Sequence, residues 1–216
     1  MPRRPAPRLR LTRARDERAE MNEQSGGPSP LELHQAAGLL GAYCAIERRL
    51  FQLTGLFSTE PEMLPEARVY LDLLSAQHAW HAELWADRLP IVSGLDAQAL
   101  VVLPPPLEEV FESVAAGGQV GGLAGLFRVV IPRLITSYVH HQAQASVASE
   151  APTLRAFQLV LRDEIDALVS GEALVLGLLG SPEAVLTAGQ MVIRLETRLA
   201  EAGSFPGLVR WPGQRA

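Results

Sequence analysis

From Pro30 onward the apolar residues fall into helical spacing. Leu33, Ala37, Leu40, Cys44, Glu47 and Phe51 alternate three and four residues apart, which predicts one buried stripe on an amphipathic helix. Glu47 stands where a core residue belongs. STEPEMLP breaks that pattern, and Pro65 suits the first turn of the next helix. Leu64, Ala67, Leu71, Leu74, His78, His81 and Trp85 repeat the alternation, so both histidines fall in the predicted core stripe.

The stretch from Pro90 to about Gly122 carries PPP at 104–106, an acidic helical phrase LEEVFESV and two glycine pairs. It reads as a long crossover between two helical hairpins. A third helix is predicted from about Leu123 to Ser149, with Phe127, Val130, Leu134, Tyr138, His141, Ala145 and Ala148 facing in. SEAPT makes the next turn. The fourth helix then carries Leu154, Phe157, Leu161, Glu164, Leu168, Gly171 and Val175, with Glu164 again interrupting an apolar stripe. After GSP a fifth helix spans about 182–202. No strand pattern and no tandem repeat is visible. The pattern predicts an all-α fold: an Arg-rich disordered tail over 1–28, a helical bundle over 29–204, and a C-terminal tail over 205–216.

Inside a hairpin of antiparallel helices, residues at one height are placed symmetrically about the turn. Glu47 and His78 are symmetric about EPEML, and Glu164 reflects through SEAPT to within a residue of Tyr138, with His141 about one turn away. The interior polar residues therefore gather at similar depth. A lone charge in a bundle interior is costly, and a partner, a proton or a metal relieves it. Two carboxylates with two or three imidazoles offer oxygen and nitrogen ligands suited to iron, manganese or zinc.

The chain resembles the ferritin-like superfamily over about residues 31–180. Its dinuclear site uses a Glu from one helix of each pair and Glu-x-x-His from the other. Glu47 matches the lone Glu of the first helix, and His81 the His of the second. PTLRAFQLVLRDEIDAL resembles the family's DE-x-x-H segment, with Glu164 in place. His78 stands at a Glu position and Ala167 at a His position, and the third helix offers Tyr138, Val139 and His141 where a Glu belongs. The resemblance implies a four-helix bundle with a crossover between helices two and three, plus an additional C-terminal helix. It implies a degenerate mono- or dinuclear site of Glu47, His78, His81 and Glu164, with His141 and Tyr138 as candidate catalytic groups. The activity implied is a metal-dependent oxidase or oxygenase acting on a small organic molecule.

Two other readings stand beside it. In one the bundle holds no metal, His78–Glu47 and His81–Glu164 are structural polar pairs, and the protein binds a small molecule or a protein partner. In the other a buried His–Glu pair performs metal-free acid–base catalysis. Asp163 and Asp166 flank the stripe and are expected in solvent, Cys44 is expected as a small buried thiol, and Trp80 and Trp85 as pocket walls, packing or a dimer contact.

Composition narrows the partners. All nineteen basic side chains among the 216 residues are arginine. Seven of these and three of the twenty-four acids lie in residues 1–20, which leaves the rest of the chain with twelve against twenty-one, a formal charge of −9. So acidic a body disfavours nucleic acid as a partner. Hydrophobic content of 48% with no unbroken apolar run of spanning length predicts a globular chain without a membrane partner. The single cysteine excludes an intrachain disulfide, and with no apolar stretch after the N-terminal arginines a cytoplasmic location is expected. Apolar surface on the fifth helix and in the tail around Trp211 suggests a homodimer.

Overall fold

A computed structural model describes residues 31–203 and 205–208; the predicted N-terminal tail, Trp211 and most of the C-terminal tail lie outside them. Every regular element among the described residues is helical. Helix α1 is Leu33–Thr59, α2 Pro65–Ala86 and α3 Pro105–Ala115, and a 3-10 turn at Gln98–Leu100 precedes α3. Helix α4 is Gly118–Gln144, α5 Ala151–Leu178 and α6 Pro182–Ala202. Prolines at the first turns of α2, α3, α5 and α6 start these helices where a backbone N–H would find no partner anyway. Ser181 caps α6 by accepting the Ala184 N–H at 3.2 Å, and Gly203 ends it at φ 85°, a left-handed conformation that glycine adopts without penalty.

α1 and α2 form an antiparallel hairpin. Ser75 donates to the Phe51 carbonyl at 2.8 Å and Cys44 to the Ala82 carbonyl at 3.4 Å, so the two helices run past each other about the turn at 60–64. α4 and α5 form the second, tied by a two-pronged Arg128–Glu172 pair at 2.6 and 2.9 Å. Residues 87–117 connect the hairpins. α6 lies on α3 and on the glycine-rich start of α4, where Gly125 meets Leu195, and Arg133 pairs with Glu196.

The buried stripes depart from expectation at their ends. Leu33, Phe51 and Leu64 are exposed, and the inner face of late α1 is Leu50, Leu53, Thr54 and Phe57. Residues 40–47 of α1 are buried on every side, because the connection covers its outer face. At Gly41 a Cβ would stand 2.3 Å from the Leu100 carbonyl oxygen, so only glycine admits that strand of backbone. α4 starts five residues before the predicted Leu123 and ends at Gln144, which leaves Ala145 half-buried and Ala148 exposed. Its early start runs through glycines, whose poor helix propensity is offset by packing against α6. One π turn interrupts it at Leu126–Val130, next to Pro132, which has no N–H to continue the regular ladder. α4 alone among the described helices is long and apolar enough to cross a membrane, and 67% of its most apolar window is buried in this fold, as befits a core helix.

Candidate metal centre

Four side chains from three helices converge between the hairpins: Glu47 from α1, His78 and His81 from α2, and Glu164 from α5. One ligand atom from each lies within 4.8 Å of all the others, and every residue is at most 1% exposed. His78 and His81 are three residues apart on α2, which stacks them on one face with ring centroids 6.0 Å apart. His78 Nδ1 sits 2.7 Å from Glu47 Oε2 and 3.4 Å from Glu164 Oε1. His81 Nδ1 sits 3.1 Å from Glu164 Oε1 and 3.6 Å from Glu47 Oε1. Both Nδ1 atoms thus point at the shared carboxylates.

A ring of further contacts holds these groups. Tyr138 on α4 donates its hydroxyl to Glu47 Oε1 at 2.6 Å, and the Trp85 indole N–H donates to the Tyr138 oxygen at 3.1 Å. Tyr43, Trp85, Tyr138 and Phe157 pack around the network with ring centroids 4.8 to 6.3 Å apart. On the other side, Asp163 Oδ2 lies 3.2 Å from His81 Nε2. Asp163, which its place beside the stripe assigns to solvent, is instead a partner of the site, with its side chain 27% exposed. Its position immediately before Glu164 on the same helix was the available signal. Trp85 was expected among the stripe residues and also acts as a donor, a role invisible until α2 and α4 face each other.

The charges follow from burial and pairing. Burial opposes ionisation of Glu47, but His81 and His78 beside it hold its carboxyl down at about 2. Burial likewise opposes the imidazolium forms, yet Glu164 and Glu47 raise His78 to about 9, and Glu47 and Glu164 raise His81 to about 11. Burial and the nearby carboxylates Glu47 and Glu164 push the Tyr138 hydroxyl far up, so it stays a donor.

His141 lies apart from the four. It is fully buried, one turn beyond Tyr138, with its ring 5.0 Å from Phe157 and 5.6 Å from Tyr43. Neither ring nitrogen has a partner among the described residues, and burial, with His140 nearby, lowers its pKa to about 4. Cys44, a buried thiol one turn from Glu47, donates to the Ala82 carbonyl. Trp80 is 42% exposed, while Trp85 is wholly interior.

The donor set suits a transition metal. Two carboxylates and two imidazoles balance a divalent ion in charge and type. His78 Nε2 and Glu164 Oε2 are buried with no partner among the described residues, which marks a site whose hydrogen bonds alone do not use all its polar atoms. No protein-family model, curated protein or solved structure matches this chain.

Proposed function

We propose that this chain is a divergent ferritin-like protein that holds one transition-metal ion between Glu47, His78, His81 and Glu164, and acts as an oxidase or oxygenase on a small organic molecule. The observation that carries the reading is the convergence of four buried donor atoms within 4.8 Å of one another. Support for the ferritin-like topology comes from the two antiparallel hairpins α1/α2 and α4/α5, the long connection over 87–117, and the Glu and His side chains at one height inside them. His78 and Ala167 stand where a second ion would need a carboxylate and an imidazole, which favours one ion over two. Iron is the preferred occupant, with manganese or zinc as alternatives. When bound, iron(II) supplies one-electron chemistry toward dioxygen.

The chain's own groups prepare the centre. Tyr138 holds Glu47 by its hydroxyl, and Trp85 holds Tyr138, so one carboxylate is fixed before any ion arrives. Asp163 accepts from His81 Nε2, so Nδ1 of that ring is the inward nitrogen, a ligand once its proton is released. The aromatic wall of Tyr43, Trp85 and Phe157 keeps water out and strengthens each electrostatic contact inside. A homodimer through α6, whose Leu186 and Ile193 are exposed, belongs to the same proposal.

The metal-free reading draws on one observation of its own: Glu47 and His78 already close a 2.7 Å pair, and Glu164 and His81 one at 3.1 Å. The test is dioxygen consumption by tag-free protein loaded anaerobically with Fe(II). Uptake above that of free Fe(II), lost in His81→Ala, is the expected result. Uptake equal to free Fe(II) in the loaded wild type contradicts the oxidase reading.

A further inference from the structure

Among the described residues the hydrogen-bond partners of Glu47, His78 and Glu164 are buried, whereas His81, itself wholly buried, also meets the partly exposed Asp163. Its Nδ1 faces the carboxylates of the centre and its Nε2 faces Asp163, whose side chain is 27% exposed. Trp80, the residue before His81 on α2, is 42% exposed, and its ring centroid is 5.6 Å from that of His81. The imidazole of His81 therefore spans the wall of the bundle, with the sealed donors on one side and a half-exposed acid and indole on the other.

A hydrated ion in solvent cannot reach donors that are at most 1% exposed unless some part of the wall yields. Any metal site needs an entry path. The thinnest wall is the place where one ligand is itself in contact with surface groups, and among the described residues that ligand is His81.

We propose that the metal ion enters the centre past His81: it is captured first at the Asp163 carboxylate, beside the His81 ring, and Trp80 is the cover that this movement displaces. The proposal rests on the metal-binding reading above. Asp163 supplies the hard oxygen and local negative charge that concentrate a divalent cation, 3.2 Å from the ring that must move aside. Displacement of one imidazole then opens the inner donors, and return of that ring completes the set. The indole of Trp80 packs on His81 and slows both directions of the exchange. A cover changes entry and exit together and leaves the equilibrium alone, whereas a residue that merely shapes the site changes affinity.

The test uses Co(II), followed by its visible absorbance in stopped flow for uptake and by chelator challenge for release. Trp80→Ala should speed uptake and release together, each by about tenfold, with stoichiometry and Kd held. Trp80→Phe keeps a cover and should stay near the wild-type rates. Asp163→Asn should slow uptake by about tenfold at low ionic strength, and less in high salt. Asp72→Asn, an exposed acid on α2, should leave uptake unchanged. Wild-type rates in either Trp80→Ala or Asp163→Asn, with Co(II) bound at full stoichiometry, overturn the entrance. A shift of Kd without a matching change in both rates for Trp80→Ala does the same. Wild-type protein that takes up no Co(II) overturns the metal reading itself, a distinct result.

Discussion

Tyr138 and Glu47, ninety-one residues apart in the chain, meet at 2.6 Å in the interior, and the Trp85 indole completes the line at 3.1 Å. The hydroxyl is donor to one and acceptor to the other, so its loss strands two groups at once. Tyr138→Phe is expected to destabilise the protein by about 1–3 kcal/mol, the range for a buried donor left unsatisfied. Urea unfolding measures it. Trp85→Phe added to Tyr138→Phe should cost less than the sum of the separate changes, because the indole N–H has already lost its acceptor.

The pH dependence of the metal-free protein follows from the same centre. His78 and His81 are raised from the ordinary value 6.5 to about 9 and about 11. Their stabilisation is fully present below pH 6.5 and is lost as pH rises through those two values. Glu47 is lowered from 4.5 to about 2, so its contribution is present above pH 4.5 and is lost as pH falls toward 2. Melting temperature against pH, in chelator, should therefore fall as pH rises from about 6.5 through 9 and 11. A flat profile from pH 7 to 11 contradicts the paired centre.

His141 acts with the opposite sign. Burial lowers its pKa from 6.5 to about 4, so folding favours the neutral ring, and stability falls as pH drops from 6.5 through 4. His141→Phe should flatten that acid limb while leaving the alkaline one in place. An unchanged acid limb in the variant would assign the loss to other groups.

Gly171 on α5 faces Phe127 on α4 so closely that a Cβ would stand 2.1 Å from the ring. Gly171→Ala, which raises helix propensity, is nonetheless expected to destabilise by about 1–3 kcal/mol through overpacking. A stabilised variant in thermal melting would show that the second hairpin yields there freely.

Much of this arrangement was legible in the chain. The three-and-four spacing marked α1, α2 and α5, and it placed Glu47, His78, His81 and Glu164 inside because each shares a helix face with apolar neighbours three and four residues away. Reflection about the turns brought Glu47 to His78 and put Tyr138 at the same depth. The exposure of Phe51 and the full burial of residues 40–47 were not legible, since both depend on where the connection over 87–117 lies. The glycine-rich start of α4 was hidden for a related reason: its stability comes from α6, far along the chain. Asp163 was missed because a residue at the edge of a stripe turns inward or outward according to its neighbour, and that neighbour is His81 on another helix.

Proton release should accompany metal binding. Both imidazoles carry protons in the metal-free pairs and must give them up as ligands, so each ion bound should free about two protons. Fe(II) or Mn(II) added anaerobically to weakly buffered protein at pH 7 checks this with an indicator dye. Binding with no proton release would mean that His78 and His81 are not the ligands.

The most direct measurement is metal content by elemental analysis after anaerobic loading of tag-free protein with Fe(II) or Mn(II), wild type beside His81→Ala, each with its melting temperature with and without chelator. One ion per chain is expected in the wild type, with a sharp loss of metal in His81→Ala and a melting temperature that chelator lowers only in the wild type. Wild-type protein that retains no metal and melts alike with and without chelator would contradict the metal-binding reading; His81→Ala would then lose stability by about 3–5 kcal/mol as a broken buried pair, with no metal involved.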